Sequence, residues 1–293
     1  MKLIKQSFEF INQTDFSLVG IKKHIERCAR VSYKSEDKIT DTSYEKFVNM
    51  LESRGHDRPL EFGTVHLKMP ESEFRSLIDI LTSSRTYNDS WMHYKVVETW
   101  EEGYTVYVTT NYRYYKLMWN QMNTLSEYFD KTDSEYYPKR YTVHMILDRG
   151  VMDEFRTHVG LSHLAESTRY CNYSKDKFGN ELTFIKPCWL DDEKLKLYGP
   201  YHTVIRDKSS ESIFIANLNN VERDYLDLIK LGWTPQQARS ILPLGIKSEL
   251  ISCGFEDAWE NFFKRRDAPD AHPMAQEIAN PMHKEFFKLT RAL

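Results

Sequence analysis

The 293-residue chain carries 40 Lys and Arg against 43 Asp and Glu, a formal charge of −3, and 14% of it is aromatic. That balance offers no global field to recruit nucleic acid or an anionic membrane, and the aromatic content favours packed surfaces over disorder. No apolar run approaches the roughly 20 residues that span a bilayer, and no signal peptide opens the chain, so a soluble cytoplasmic protein is expected, with no nucleic-acid or membrane partner.

In chain order, residues 2–10 alternate weakly and suggest a strand, and Phe16–Ala29 reads as a helix. Ser43–Ser53 repeats the helical spacing, with Phe47 and Leu51 one turn apart. Val65–Met69 reads as a strand, and Pro70 opens a helix over Glu71–Ser83. Tyr104–Thr110 is strongly β in composition. Tyr114–Phe129 then reads helical, Tyr141–Leu147 as a buried strand and Asp148–Val159 as a helix. The longest helix is expected over Glu211–Leu231, ended by Gly232. Pro235 starts a short helix carrying Arg239, and Ala258–Arg266 and Ala275–Thr290 complete a helical C-terminal half. Strands and helices mix without regular alternation, so the expected class is α+β with a mixed sheet. The expectation is one domain over residues 1–293 with an insert at about 84–138.

Several chemistries lack their motifs. There is no G-x-G-x-x-G after a strand, no P-loop, no H-E-x-x-H and no G-x-S-x-G. Cys28, Cys171, Cys188 and Cys253 stand far apart without a C-x-x-C pair, against zinc and against a disulfide framework. The ten histidines show no metal-spaced group, so no metal is expected, and Cys188 reads as a buried inert thiol.

The most informative stretch is Glu166-Ser167-Thr168-Arg169-Tyr170-Cys171-Asn172-Tyr173-Ser174. Ser167 and Arg169 are two apart, so a helix would splay them by roughly 200° whereas an extended or turning segment puts both on one face. A hydroxyl beside a guanidinium suits a phosphate monoester, because the Arg fork matches phosphate oxygens two at a time.

Ser162, Ser167, Arg169 and Tyr170 resemble, with correct spacing, the signature of the flavin-dependent thymidylate synthases. Four further segments resemble that family in the same order: Ala29-Arg30-Val31-Ser32-Tyr33, Gly55-His56 with Pro59-Leu60-Glu61, Ala238-Arg239-Ser240-Ile241-Leu242-Pro243, and Arg266 followed by His272. The resemblance implies an α+β homotetramer with active sites shared between subunits. It also implies the reductive methylation of dUMP to dTMP, with methylene-tetrahydrofolate as carbon donor, reduced FAD as hydride source and NADPH as reductant. Carried over by position, Ser167, Thr168, Arg169 and Arg239 hold the dUMP phosphate, Glu61 approaches the nucleotide, and Arg266 sits as the catalytic group at the uracil edge. His56, His158, Ser162 and His272 fall on the cofactor side.

The family's Arg-His-Arg triplet becomes Thr157-His158-Val159, the pair before the second Ser is Leu164-Ala165, and a later Asn falls on Phe255. Each lost charge-assisted hydrogen bond is worth roughly 1.5–3 kcal/mol. Arg156, His163 or stacking on Phe255 are the groups expected to recover part of that loss. The alternative is a paralog that binds a pyrimidine mononucleotide with changed chemistry, such as hydroxymethylation or another pyrimidine, or that has lost flavin-dependent activity.

Overall fold

The computed structural model describes residues 1–83, 93–100, 103–169, 171–191, 193 and 209–291. Part of the expected insert and Tyr170 of the signature lie outside the described residues. The chain opens with β1 (Lys2–Ile4) and β2 (Ser7–Phe10), then α1 (Leu18–Tyr33) and α2 (Ser43–Ser53). A first sheet region follows: β3 (Thr64–Pro70), α3 (Glu71–Ser83), β4 (Tyr94–Thr99), β5 (Thr105–Asn111), α4 (Tyr112–Trp119) and β6 (Phe129–Asp130). Next come β7 (Arg140–Asp148), α5 (Arg149–Phe155), β8 (Ser162–Ala165) and β9 (Thr183–Ile185). The rest holds α6 (Ser210–Lys230), α7 (Pro235–Ala238), β10 (Lys247–Phe255), α8 (Glu256–Arg266) and α9 (Pro273–Arg291).

The chain is α+β, but its strands do not share one mixed sheet. Two four-stranded sheets, ordered β4-β5-β3-β6 and β2-β7-β10-β8, are antiparallel, and β1 pairs separately with β9 in parallel. The expected single strand over residues 2–10 is therefore two strands in different sheets. They break at Lys5-Gln6, where the Gln6 amide donates to the Met274 carbonyl at 2.7 Å. Residues 94–130 supply three of the four strands of the first sheet, with β3 as the fourth.

Strand β10 was not expected at all, and it is central, flanked by β7 and β8. Both of its faces are buried, so Lys247-Ser248-Glu249-Leu250-Ile251-Ser252-Cys253-Gly254-Phe255 shows no period of two to read. The helix expected over Tyr114–Phe129 stops at Trp119 and yields to a 3-10 turn over Asn123–Tyr128. Asn120, Asn123, Thr124 and Ser126 compete for backbone hydrogen bonds there and favour turns. Its start is well signalled: the Asn111 side chain accepts from the Tyr114 amide at 2.9 Å. The helix expected to Val159 ends at Phe155 because the chain must reverse into β8, using Gly160 at φ 101°.

Three apolar clusters fill the interior. One packs α1 and α2 against the first sheet, one packs α8 and α9 against the second around fully buried Trp259, and a third surrounds Tyr225 of α6. The Trp259 indole donates to the Tyr141 carbonyl at 3.0 Å, which satisfies the polar end of a side chain buried for its apolar area.

Candidate active site

Asp148 ends β7 and caps α5, its carboxylate accepting from the Val151 amide at 2.7 Å. This short helix runs along one side of a cavity of about 270 Å³, near the lower end of ligand-pocket sizes. The opposite wall is the segment leaving β8. Strand β8 is held to β10 from Ser162 opposite Cys253 to Ala165 opposite Leu250, and the Glu166 amide continues the pairing to the Glu249 carbonyl at 2.8 Å. The backbone then turns, so Ser167 and Thr168 face the cavity, joined there by Ser32, Arg149, Arg156, His163 and Arg239.

Of the residues expected to hold a phosphate, Ser167, Thr168 and Arg239 thus share one cavity. A 3.4 Å contact joins the Arg239 guanidinium to the Thr168 hydroxyl. Arg169 is exposed beside it, its Nε donating to Gln236 at 3.1 Å, and its own amide donates to the Ser167 hydroxyl at 3.4 Å. Gln236 belongs to α7, so the short Pro-initiated helix brings Arg239 and the partner of Arg169 to the same rim.

Glu61 is 5% exposed and both carboxylate oxygens are taken: Arg113 donates to one and the Ser162 hydroxyl to the other, each at 2.6 Å. Arg140 meanwhile donates to the Glu61 carbonyl at 2.7 Å. His56 is exposed and 3.2 Å from the Tyr33 hydroxyl. His158 is buried edge-on to Phe262, and its Nε2 has no hydrogen-bond partner among the described residues. Arg266 is ion-paired with Glu154 and donates to the Glu154 carbonyl at 2.8 Å and to the Thr157 hydroxyl at 3.3 Å. His272 lines a separate cavity of about 450 Å³ with Trp189, Phe214, Met274, Asp148 and Glu154. Within one chain, Arg266 and His272 therefore stand on the far side of α5 from the hydroxyl-lined cavity, linked by Glu154.

The groups expected to compensate for the altered triplet separate clearly. Arg156 lines the cavity. His163 cannot donate freely: one ring nitrogen is 2.8 Å from the Ser252 hydroxyl and the other 3.2 Å from the His158 carbonyl. Burial lowers its pKa to about 4, so it is neutral at pH 7. Phe255 is 3% exposed, with the Arg140 and Lys95 cations over its ring at 5.6 and 5.4 Å, so its faces are occupied. Val159 is 66% exposed, and Leu164 is part of the core. Cys188 is exposed rather than buried, because it follows Pro187 in a surface turn. Its thiol pKa is nonetheless raised.

Behind the cavity lies a network that sequence reading missed. Glu166, 1% exposed, is 2.8 Å from the Lys247 ammonium, which also bonds Glu249. Lys34 pairs with Glu249 and lies 3.9 Å from Glu166, and His144 is 2.9 Å from Glu249. Burial alone would raise Glu249, but His144, Lys247 and Lys34 hold its carboxyl well below the usual range. Burial would likewise lower Lys247, yet Glu166 and Glu249 outweigh it and raise the ammonium. Lys34 adopts φ 48° at the end of α1, a left-handed backbone uncommon outside glycine. It thereby joins the Ser32 wall to the Ser167 wall, where the Ser167 amide meets the Ser32 carbonyl at 3.4 Å.

The fold and cavity describe an α+β protein with a cationic, hydroxyl-lined recess of the kind that receives a small phosphorylated ligand. Residues 138–290, more than half of the chain, match the family model described as thymidylate synthase complementing protein. The chain belongs to that family, the flavin-dependent thymidylate synthase family, and its function is related to thymidylate synthesis. No curated protein matches it closely enough to count as a relative. Among the described residues, no helix is long and apolar enough to cross a membrane.

Proposed function

We propose that the chain methylates dUMP at C5 to give dTMP, using methylene-tetrahydrofolate as carbon donor, FAD as hydride carrier and NADPH as reductant. One domain over residues 1–293, with its insert at about 84–138, works in the cytoplasm as a homotetramer with shared active sites. The observation that carries the reading is the single recess where Ser167, Thr168 and Arg239 meet, inside the matched segment. Hydroxyls and guanidiniums around one small cavity are the donor set a nucleotide phosphate needs.

The residues present also fit a flavin. The buried Nε2 of His158 lacks a partner among the described residues, and a buried polar atom left unpaired costs about 1–3 kcal/mol unless a ligand satisfies it. His158, Ser162, His56 and His272 are the groups assigned to hold the cofactor, which supplies a hydride when reduced. The protein's share is placement and charge. Arg266, steered by Glu154 and Thr157, is assigned to the uracil edge, where a fixed positive charge favours the anionic ring. Glu61, locked by Arg113 and Ser162, orients the nucleotide side. No protein nucleophile is required, in keeping with a Cys171 thiol pushed up to about 12 by burial and Glu166.

The test is optical. Purified protein should show flavin absorbance, bleach with NADPH and recover colour when dUMP and the folate are added. Colourless protein that takes up no FAD on titration would end this reading. A second reading rests on Val159, an exposed apolar side chain where the family carries arginine: a pyrimidine nucleotide is bound but the chemistry has changed. Mass analysis of products from dUMP, UMP and dCMP separates the two, and dTMP as sole product disposes of the second.

A further inference from the structure

The recess carries more positive charge than its family-aligned residues account for. Arg149, Asp153 and Arg156 stand at i, i+4 and i+7 along α5 and the residue after it, and so fall on one face. Both arginines line the cavity. They share one carboxylate: Arg149 Nε is 3.5 Å and Arg156 Nη1 is 3.3 Å from Asp153. Arg239 is a third guanidinium on the same cavity. Glu166 adds no free negative charge, being paired with Lys247, and buried His163 is neutral. Ser32 contributes a buried hydroxyl without a partner among the described residues. Of the three cations around the recess, two thus share one exposed carboxylate, the third contacts the Thr168 hydroxyl, and the Ser32 hydroxyl is left over among the described residues.

The position of Arg156 explains why it, and not its neighbour, belongs here. Thr157, where the family signature has its first arginine, lies about 100° around from Arg156 and its hydroxyl serves Arg266 instead. Moving the guanidinium one residue back swings it from the Arg266 side to the Ser167 side.

Building on the nucleotide reading above, we infer that Arg149 and Arg156 are phosphate-binding residues of this chain, and that Asp153 is the internal anion a phosphate monoester displaces from them. Asp153 holds the two guanidiniums parked and competes with the ligand. It thereby selects a dianionic phosphate, which can outbid one carboxylate, over neutral nucleosides. All three side chains are at least a quarter exposed, so substituting them spares the core.

The experiment is calorimetric titration of the full chain with inorganic phosphate, dUMP and deoxyuridine at fixed ionic strength, for wild type, Asp153→Asn, Arg156→Gln and Arg149→Gln. Asp153→Asn should tighten phosphate and dUMP alike, by about threefold to tenfold, because it removes a competing charge. Each arginine variant should weaken both by roughly tenfold to a hundredfold, with Arg156→Lys recovering part and deoxyuridine unaffected throughout. A merely structural Asp153 would instead weaken every ligand when replaced. Phosphate and dUMP affinities indifferent to all the substitutions would overturn the inference while leaving the dUMP reading intact. Phosphate binding that follows the pattern without any dUMP binding would do the reverse, and no binding of either ligand to wild type would overturn both.

Discussion

Replacing Lys247 with Met tests whether the buried ion network braces the recess. The ammonium is 16% exposed and touches two carboxylates, one of them 2.8 Å away on a Glu166 side chain only 1% exposed. Methionine keeps the length of the stem but leaves Glu249 to Lys34 and His144, and Glu166 to the Tyr173 hydroxyl at 3.4 Å and to Lys34 at 3.9 Å. Removing one member of a buried pair typically costs about 3–5 kcal/mol, a large part of the roughly 5–15 kcal/mol that holds a domain folded. Urea unfolding should show a midpoint lowered accordingly with little change in slope. The double variant Lys247→Met/Glu249→Gln should lose less than the two single losses added, since it removes one of the stranded charges. A single-variant loss below about 1 kcal/mol, or strict additivity in the double, would refute the network as a coupled unit.

Acid should weaken the fold well before the carboxylates titrate. Burial lowers His24 to about 3, and His66 and His163 to about 4, so each is neutral when folded. Their folded pKa values lie below the unfolded one near 6.5, so stability is complete above that pH and falls by about 1.4 kcal/mol per unit per group below it. By pH 5 each should cost about 2 kcal/mol; urea midpoints that stay flat from pH 8 to pH 5 would contradict this. Gly254→Ala should destabilise by about 1–3 kcal/mol. Its Cβ would sit 2.5 Å from the Leu161 side chain and 3.0 Å from the Gly160 carbonyl, and a variant that melts like wild type would show the strand has room. Arg239→Ala, at an exposed position, should weaken dUMP binding by roughly 1.5–3 kcal/mol with an unchanged melting temperature; calorimetry paired with a thermal melt reads both.

The chain order alone carried the class, most helices and the family. Periodicity placed α1, α2, α3 and α6, because each buries one stripe and exposes the other. The ordered motifs pick out Ser167, Thr168 and Arg239, which the fold brings to one cavity. Local patterning failed at β10, where Ser248, Glu249 and Ser252 are buried on both sides of a central strand and so carry no alternation. It also failed where Asn-rich and Gly-containing segments shorten helices.

Only the tertiary structure decided which cations meet. Arg156 is expected from its position beside the altered triplet, but nothing local joins it to Arg149 and Arg239, and Lys34 and Glu166 lie far in sequence from the Lys247-Ser248-Glu249 segment they pair with. Their association depends on strand register, the antiparallel match of β8 to β10 that sets Glu166 beside Glu249. Register is a long-range outcome of which faces bury best, and it is invisible to any window of neighbouring residues.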